Sequence, residues 1–520
     1  MSLNQQNRIF KIKSERGYNT EQKKADNMRK EIQLGSIALL GSLILWLSFT
    51  SQILGTNESS QQRHILERLS FGTTSEQIAE VNQIGIEAYI QSQLNPQLVA
   101  ESPIVNNFLA KLNVINQKPI KLQKEEYLNR KKLRNDQLST EQNQQIRQKI
   151  KDLNFKARDE AMDAHLIRAI YSNRQLQEVM VDFWFNHFNV FADKGSVRLW
   201  LSDYEDQIRT HALGNFRDLL GVTAKHPAML IYLDNKKNTD PNSAVGQRRN
   251  IGLNENYARE LMELHTLGID GGYTQDDVIA LAKIFAGWAM DALGEKGDRQ
   301  GFYFYENRHE LKDKIFLGQK IPASGIKEGE QALDILASHP ATARFISYKL
   351  AQYFVADQPP TALVDRLAEE FKNRQGDIKA VMDVLIHSPE FNSPQYYQQK
   401  FKTPYQYIIS LVRMGEMKEP NLKRIRGMLN QLSMPLFRCL APTGYKNTEA
   451  AWLNPQGMLQ RTSLATAIAH GILNRSDPIE PNQLQSNLGN LSQNTKQVIA
   501  KTPAKLRGAL IMGSPEAMYR

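Results

Sequence analysis

Hydrophobic residues recur every three or four positions through most of the chain, which is the spacing of amphipathic helices. From residue 64 onward such stretches alternate with short polar loops, beginning with the face formed by Ile65, Leu66 and Leu69. Thr74 stands just before one stretch with Gln77 three residues later, the pattern of a helix cap. The pattern predicts a mainly α, multi-helical globular domain.

Two regions depart from this pattern. Phe302–Tyr305 is an aromatic run, and after a polar turn Lys314–Leu317 reads as a return strand, which predicts one small β-hairpin at about residues 300–322. Residues 119–160 are dominated by Lys, Arg, Gln, Asn and Glu. That composition predicts a long solvated helix or a helical hairpin.

The amino-terminal region has a composition of its own. Residues 32–57 carry no charged side chain, and the 21 residues from Leu34 to Leu54 are long enough, as a helix, for a bilayer core of about 30 Å. Residues 1–30 hold eight Lys and Arg against three acids, so the positive-inside rule predicts a cytoplasmic amino terminus. A cleaved signal peptide and a buried core helix are the alternatives to a membrane anchor.

These observations predict five parts: a basic cytoplasmic arm (1–31), a transmembrane signal-anchor (32–55), a linker (56–63), a helical core domain (64–475) and a C-terminal segment ending in a helix (476–520). They predict a single-pass membrane protein, held in the membrane through residues 32–55, whose main domain is periplasmic or extracellular. Cys439 is the single cysteine, which excludes an intramolecular disulfide and leaves the compartment open.

The formal net charge of +10 first suggests a nucleic-acid partner. However, eight cations minus three acids gives +5 in the first thirty residues, which leaves +5 for the remaining 490. Membrane topology explains the basic arm better than substrate binding does. In residues 119–160 only Tyr127 and Phe155 could stack on bases, so we predict no nucleic-acid partner.

One candidate for chemistry is the segment Asp182–Asn189, in which four aromatic residues surround an amide and an imidazole. Such a segment is mostly buried, and buried Asn and His side chains need hydrogen-bond partners. His187 is therefore either a core histidine bonded to backbone, or a ligand or acid–base group in an apolar pocket that shifts its pKa.

A second candidate is the segment Leu253–Gly268, predicted as one helix that ends at Gly268. Glu255 and Arg259 form an i,i+4 pair on it, beside a polar stripe that is either solvated or part of a buried network. From the two segments together we predict a pocket. Its candidate catalytic residues are His187, Glu255, Arg259, Glu260 and His265, and its candidate binding residues are Trp184, Asn186, Asn254, Asn256, Tyr273 and His309.

No specific metal or nucleophile motif accompanies these residues. Glu260 and Glu263 both miss the Glu-x-x-His step to His265, and the chain has no H-E-x-x-H and no G-x-S-x-G. Thr274–Asp277 reads as a helix cap after a Gly-Gly turn rather than as a phosphate-binding loop. We therefore predict no metal site, and the sequence leaves the cofactor unknown.

Several strings resemble a large bacterial family known only as a domain of unknown function, numbered eighteen hundred. The strings are His64–Gly72, Phe183–Asn189, His226–Met229, His339–Phe345, Ser388–Phe391, Lys402–Pro404, Ala450–Leu453 and, most specifically, Asn254–Gly268 with Asp270–Gln275. The resemblance spans about residues 64–520. The chain departs from the family pattern at Arg308–Leu311 and at Ala517–Met518.

The resemblance implies a mainly helical, exported protein. Family members are commonly encoded beside a second exported family, which looks similar to sulfatases, so a partnership in the cell envelope is implied. The leading hypothesis is an accessory or binding protein that works with such a partner or with an extracellular polymer. The rival hypothesis is an enzyme with a His/Glu/Arg polar pocket, for which dependence on a metal or cofactor is left open.

Overall fold

Side-chain caps fix where several helices begin. The computed structural model describes residues 60–134, 138–298, 301–474, 479–489 and 491–520. Thr74 accepts a hydrogen bond from the backbone of Gln77, whose side chain accepts one from Thr74 in return. Thr274 and Asp277 form the same reciprocal pair. Both predicted caps are confirmed.

Helices account for most of the described chain. The first half contains α1 (60–69), α2 (Ser75–Ile84), α3 (Ile86–Leu94), α4 (Pro103–Leu109), α5 (Pro119–Lys132), α6 (Thr140–Tyr171), α7 (Gln175–His187), α8 (Leu201–His211), α9 (Phe216–Lys225), α10 (Pro227–Tyr232), α11 (Ala244–Arg249), α12 (Asn256–Glu260), the π-helical turn Leu261–His265 and α13 (Gln275–Ile284). The second half contains α14 (Ile326–Ser338), α15 (Pro340–Phe354), α16 (Thr361–Asn373), α17 (Ile378–Ile386), α18 (Pro404–Met414), α19 (Leu422–Gln431), α20 (Glu449–Trp452), α21 (Pro455–Ala469), α22 (Pro481–Leu488), α23 (Gln493–Lys501), α24 (Ala504–Met512) and α25 (Pro515–Met518).

The predicted single β-hairpin is wrong in number and in pairing. The described residues form two antiparallel hairpins: β1 (Trp288–Met290) pairs with β2 (Phe302–Phe304), and β3 (Lys314–Phe316) pairs with β4 (Gln319–Ile321). Leu317 and Gly318 between β3 and β4 both have positive φ, as a two-residue hairpin turn requires. Because of this tight turn, β3 pairs with β4, the strand that follows it, and β2 pairs with β1 instead.

Helix α7 runs through the core, and Trp184 is among the fully buried side chains of the protein. Helices α5 and α6 pack against each other as a hairpin, which confirms the interpretation of residues 119–160. Helices α15 and α16 pack closely together, and α14 packs on α15. Residues 63–520 form one contact unit around this core.

The predicted membrane anchor requires a correction. Among the residues that the structure describes, no helix is both long enough and apolar enough to cross a membrane. Helix α6, for example, has 32 residues but carries charged side chains along its length. The segment 32–55 and the arm 1–31 lie outside the described residues. The described structure therefore contradicts the transmembrane part of the predicted fold class and the predicted single-pass location.

One close contact gives a prediction about packing between α14 and β1. A Cβ atom added at Gly329 in α14 would lie 2.0 Å from Cζ2 of the buried Trp288 ring. We expect Gly329→Ala to lower the free energy of unfolding by about 1–3 kcal/mol, the usual cost of overpacking a core. Urea denaturation measures the change.

Gly427 in α19 is the matched control, because a Cβ added there meets no atom within 4 Å. Gly427→Ala should raise the free energy of unfolding by about 0.5–1 kcal/mol, since alanine favours a helix. Equal effects of the two substitutions would contradict the packing described here.

Candidate functional site

Two of the predicted binding residues hold the fold together. The indole of Trp184 donates a hydrogen bond of 3.0 Å to the backbone oxygen of Ala212. The side-chain amide of Asn186 donates to the backbone oxygen of Tyr445 (2.8 Å) and accepts from its backbone nitrogen (2.7 Å). Asn186 thereby fastens the loop that contains Tyr445 to the end of α7, and both of these polar groups are already used inside the protein.

His187 is buried and neutral. Its Nε2 lies 3.1 Å from the backbone oxygen of His265, and because a carbonyl only accepts, Nε2 carries the proton. Burial lowers the pKa of His187 well below its usual value, with Lys349 and His265 adding to the effect. The other ring nitrogen, Nδ1, has no hydrogen-bond partner among the described residues.

His265 ends the π-helical turn and is 1% exposed. Its ring centroid lies 6.0 Å from that of His187, so the two sequence segments do meet in the structure. Within the described part of the chain, neither ring nitrogen of His265 has a hydrogen-bond partner. Burial, followed by the charge of Lys349, lowers its pKa to about 3.

Lys349 on α15 completes a basic cluster with His187 and His265. Its ammonium group lies over the ring of Phe345, 5.8 Å from the centroid, and the residue is half-buried. Burial lowers the pKa of Lys349. No ion pair joins any member of this cluster to a carboxylate in the part of the chain that is described. The basic cluster therefore has hydrogen-bond donors and nitrogen lone pairs, but no carboxylate is paired with the charge of Lys349.

The other predicted catalytic residues lie on the surface. Glu255 and Arg259 are 3.4 Å apart, and each also bonds the side chain of Gln275 at 2.8 Å. Arg259 lies 3.6 Å from Glu263 as well. Glu260 is half-buried, and burial followed by the charge of Glu263 raises its pKa. These contacts form a solvated network, and none of them involves His187 or His265.

The predicted binding residues Asn254, Asn256 and Tyr273 contact neighbouring segments of the chain. The backbone of Asn254 donates to Asn238 at 3.0 Å, and the side chain of Asn256 donates to the backbone oxygen of Leu233 at 3.3 Å. Tyr273 lies beside Glu263, and burial together with that carboxylate raises its pKa to about 12.

His309 belongs to a separate buried ionic cluster behind the β3–β4 hairpin. Its Nε2 lies 3.1 Å from the Glu328 carboxylate, which Lys314 also contacts at 2.7 Å. Its Nδ1 lies 3.0 Å from the backbone oxygen of Ala286. His309 therefore helps to stabilise the β3–β4 hairpin and does not belong to the predicted pocket.

A groove of about 610 Å³ lies beside α15, and His187, His265 and Lys349 are not among the residues that line it. One wall comes from residues 263–270, and the other comes from α15, Pro359 and the start of α16. The lining side chains are mostly apolar, with three charged residues among them: Glu263, Leu264, Leu267, Gly268, Ile269, Asp270, Ala341, Arg344, Phe345, Tyr348, Pro359, Thr361 and Val364.

The π-helical turn shapes the first wall of this groove. A π-helix inserts one residue per turn and is frequent at functional sites. Here the hydroxyl of Thr266 closes the turn by donating to the backbone oxygen of Leu261 at 2.8 Å. Gly268 then adopts φ +82°, and a Cβ there would lie 3.1 Å from the Phe345 ring, so glycine lets the chain pass close over Phe345.

A second polar site escaped prediction from the sequence. His165 on α6 lies 3.3 Å from the Glu205 carboxylate, and Arg209 bridges Glu205 and Glu178. Burial opposes protonation of His165, but the carboxylates of Glu205, Asp182 and Glu178 outweigh it and raise the pKa. A buried His, Glu and Arg do meet, but they are not the ones predicted. The sequence feature that could have indicated this network is His165, which lies on the apolar face of α6 next to Leu166.

Beside this network lies a cavity of only about 40 Å³, lined in part by His165, Asp182 and Tyr405. Tyr405 is fully buried, and its hydroxyl has no partner among the described residues. A water molecule needs about 10–15 Å³ of cavity volume, so the cavity has room for a few waters. Across the described residues, no group of three or more His, Cys, Asp or Glu side chains is arranged to hold a metal ion.

Comparison with known proteins identifies the family. The family model described as a protein of unknown function, DUF1800, matches residues 64–519. The chain belongs to the DUF1800 family. The match covers the groove, the basic cluster and the His165 network, and it confirms the resemblance seen in the sequence. No curated protein and no solved structure matches this DUF1800 protein.

Proposed function

We propose that this DUF1800 protein is a binding protein whose groove receives the apolar part of a ligand. The observation that carries the proposal is the groove of about 610 Å³ between the π-helical turn and α15. Ligand sites are typically concave, 300–1,000 Å³ in volume and mostly apolar, with a few polar groups that orient the ligand. The groove has this size and this composition.

The groove leaves apolar surface open to solvent. Ile269 at its edge is 73% exposed, and Tyr348 is also exposed. Phe345 lies between them and the basic cluster, because its ring contacts both Gly268 and His187. Exposed apolar surface rimmed by charged residues is characteristic of a binding site.

The enzyme hypothesis has less support. Glu255 and Arg259 of the predicted pocket bond each other and Gln275 at the surface, away from the two histidines. The cavity beside His165 is about 40 Å³, too small for a substrate of ordinary size. The exported sulfatase-like partner and the extracellular polymer stay predictions.

Filling the groove should weaken binding of a neutral apolar probe. Thr361 lies exposed at the groove, so Thr361→Trp places a large ring there with little risk to folding. We expect the dissociation constant of the dye Nile red to rise by about tenfold or more in Thr361→Trp, a loss of about 1.4 kcal/mol of binding free energy. Fluorescence titration measures it, and Ala341→Trp should act in the same direction.

Ala500→Trp is the control, because Ala500 is exposed on α23 and does not line the groove. Its affinity for Nile red should equal that of the unmodified protein. The proposal is wrong if the unmodified protein does not bind Nile red, or if all three tryptophan variants bind it equally well.

A further inference from the structure

The small cavity beside His165 is walled largely by aromatic rings. Three of the residues that line it, Asn186, Pro435 and Tyr445, are partly exposed, so the cavity lies close to the protein surface. Four aromatic side chains belong to its wall: Phe185, Tyr405, Phe437 and Tyr445. The faces of aromatic rings attract cations, and cages of such rings bind ammonium groups. This wall therefore suits a cationic ligand.

A carboxylate without a paired cation lines the same cavity. Asp182 on α7 is half-buried, and its Oδ2 accepts a hydrogen bond of 3.2 Å from the Tyr353 hydroxyl. Across the described ranges no ion pair includes Asp182, whereas the His165 imidazole lies 3.3 Å from the Glu205 carboxylate, which balances its charge. Burial raises the pKa of Asp182, although the charges of His165 and Arg520 act to lower it. A cation in the cavity would supply the partner that Asp182 lacks.

A second and independent observation is the hydroxyl of Tyr405. Tyr405 is 0% exposed and lines the cavity, yet its hydroxyl has no hydrogen-bond partner among the described residues. Buried hydroxyls are normally bonded. Tyr407, two residues further along α18, shows the usual arrangement, because its hydroxyl donates to the backbone oxygen of Met512 at 2.9 Å. The Tyr405 oxygen is therefore free to accept a hydrogen bond from a ligand.

We propose that this cavity binds a small ammonium group, with its N–H donors on the Asp182 carboxylate and the Tyr405 oxygen and its alkyl substituent against the aromatic wall. A water molecule needs about 10–15 Å³, so the volume of about 40 Å³ admits a group of about two or three heavy atoms, the size of methylammonium. None of the residues that line this cavity lines the groove. The ammonium site is therefore a second site, independent of the proposed groove function.

Titration with methylammonium and with methanol separates the charge of the ligand from its size. The two molecules are similar in size, and at about pH 8 a primary amine is protonated. Saturation-transfer NMR on the full-length protein measures both dissociation constants at constant ionic strength in sodium chloride. We expect methylammonium to bind about tenfold or more tightly than methanol, because charge-assisted hydrogen bonds are strong. Asp182→Asn removes the charge and keeps an acceptor for Tyr353, so it should make the two affinities equal.

Tyr405→Phe tests the second acceptor, since it removes only the hydroxyl without a partner. It should weaken methylammonium binding about threefold or more, the effect of one lost hydrogen bond, without lowering the melting temperature followed by circular dichroism. Tyr407→Phe is the matched control on the same helix. It breaks the hydrogen bond to Met512, so it should lower the melting temperature and leave the methylammonium affinity unchanged.

Methanol that binds as tightly as methylammonium would overturn the ammonium assignment, and so would a preference that persists in Asp182→Asn. Failure of both molecules to bind would mean that the cavity holds water only, which also overturns it. Displacement of methylammonium by an equal concentration of potassium ions would show a site for metal cations instead. None of these outcomes affects the test of the groove with Nile red.

Discussion

Glu328→Leu is expected to lower the free energy of unfolding by about 3–5 kcal/mol, the usual cost of breaking a buried charge pair from one side. Glu328 is fully buried, and its carboxylate contacts Lys314 at 2.7 Å and His309 at 3.1 Å. It also accepts from the backbone nitrogens of Ser324 and Gly325. Leucine leaves the Lys314 ammonium buried without its carboxylate and removes the cap at the start of α14.

Urea denaturation followed by circular dichroism measures this loss. Glu328→Gln should lose less stability than Glu328→Leu, since an amide oxygen still accepts from the two backbone nitrogens. Glu369→Gln is the control, because Glu369 is exposed on α16 and its ion pair with Lys372 lies at the surface. A loss for Glu328→Leu no larger than that of the control would contradict the structural role of this buried cluster.

The second large effect is a loss of stability in mild acid. Burial lowers the pKa of His64 and of His265 to about 3 and that of His187 well below its usual value. In the unfolded chain each histidine titrates near 6.5, so below that pH the unfolded state binds more protons than the folded state. Folding stability is therefore lost as the pH falls below about 6.5. Each of these histidines contributes about 1.4 kcal/mol of loss between about pH 7.5 and 5.5.

The contribution of one histidine is measured by removing it. His265→Gln should lose about 1.4 kcal/mol less stability than the unmodified protein over the same pH interval, because glutamine does not titrate. This comparison cancels the opposite contribution of His165, whose pKa is raised. His470→Gln is the control, since His470 is exposed on the surface. Parallel stability curves for His265→Gln and the unmodified protein would show that His265 is not held neutral.

Local signals in the sequence located the helices well. The caps at Thr74 and Thr274 depend only on residues three positions away, and both form as predicted. The positive φ of Gly268 at the end of its helical segment also follows from local sequence. The pairing of the strands could not be predicted from local sequence. Each strand has only three residues, and no local pattern links Trp288–Met290 to Phe302–Phe304.

The candidate site was predictable only in part. The meeting of His187 with His265 was expected from two polar segments with strong apolar faces, and the structure places their rings 6.0 Å apart. The predicted polar stripe of Asn256, Glu260 and Glu263 assumed one continuous α-helix, whereas the helix becomes a π-turn after Glu260. The position of Lys349 depends on tertiary packing of α15, which no local pattern specifies.

The same limit explains the missed network around His165. His165 and Glu205 lie forty residues apart in sequence, on α6 and α8, and each looks like an ordinary residue of an amphipathic helix. The Glu205 and Arg209 pair has the i,i+4 spacing of a surface ion pair. Only the packing of α8 against α6 and α7 buries it.

Photo-crosslinking tests the central claim, that the groove binds the apolar part of a ligand, most directly. The full-length protein is irradiated with a diazirine-bearing dodecanol, and the labelled peptides are located by mass spectrometry. The groove predicts labelling within residues 261–270 and 341–364, competed by unlabelled dodecanol and lost in Thr361→Trp but not in Ala500→Trp. Labelling that lies elsewhere, or that persists unchanged in Thr361→Trp, would contradict it.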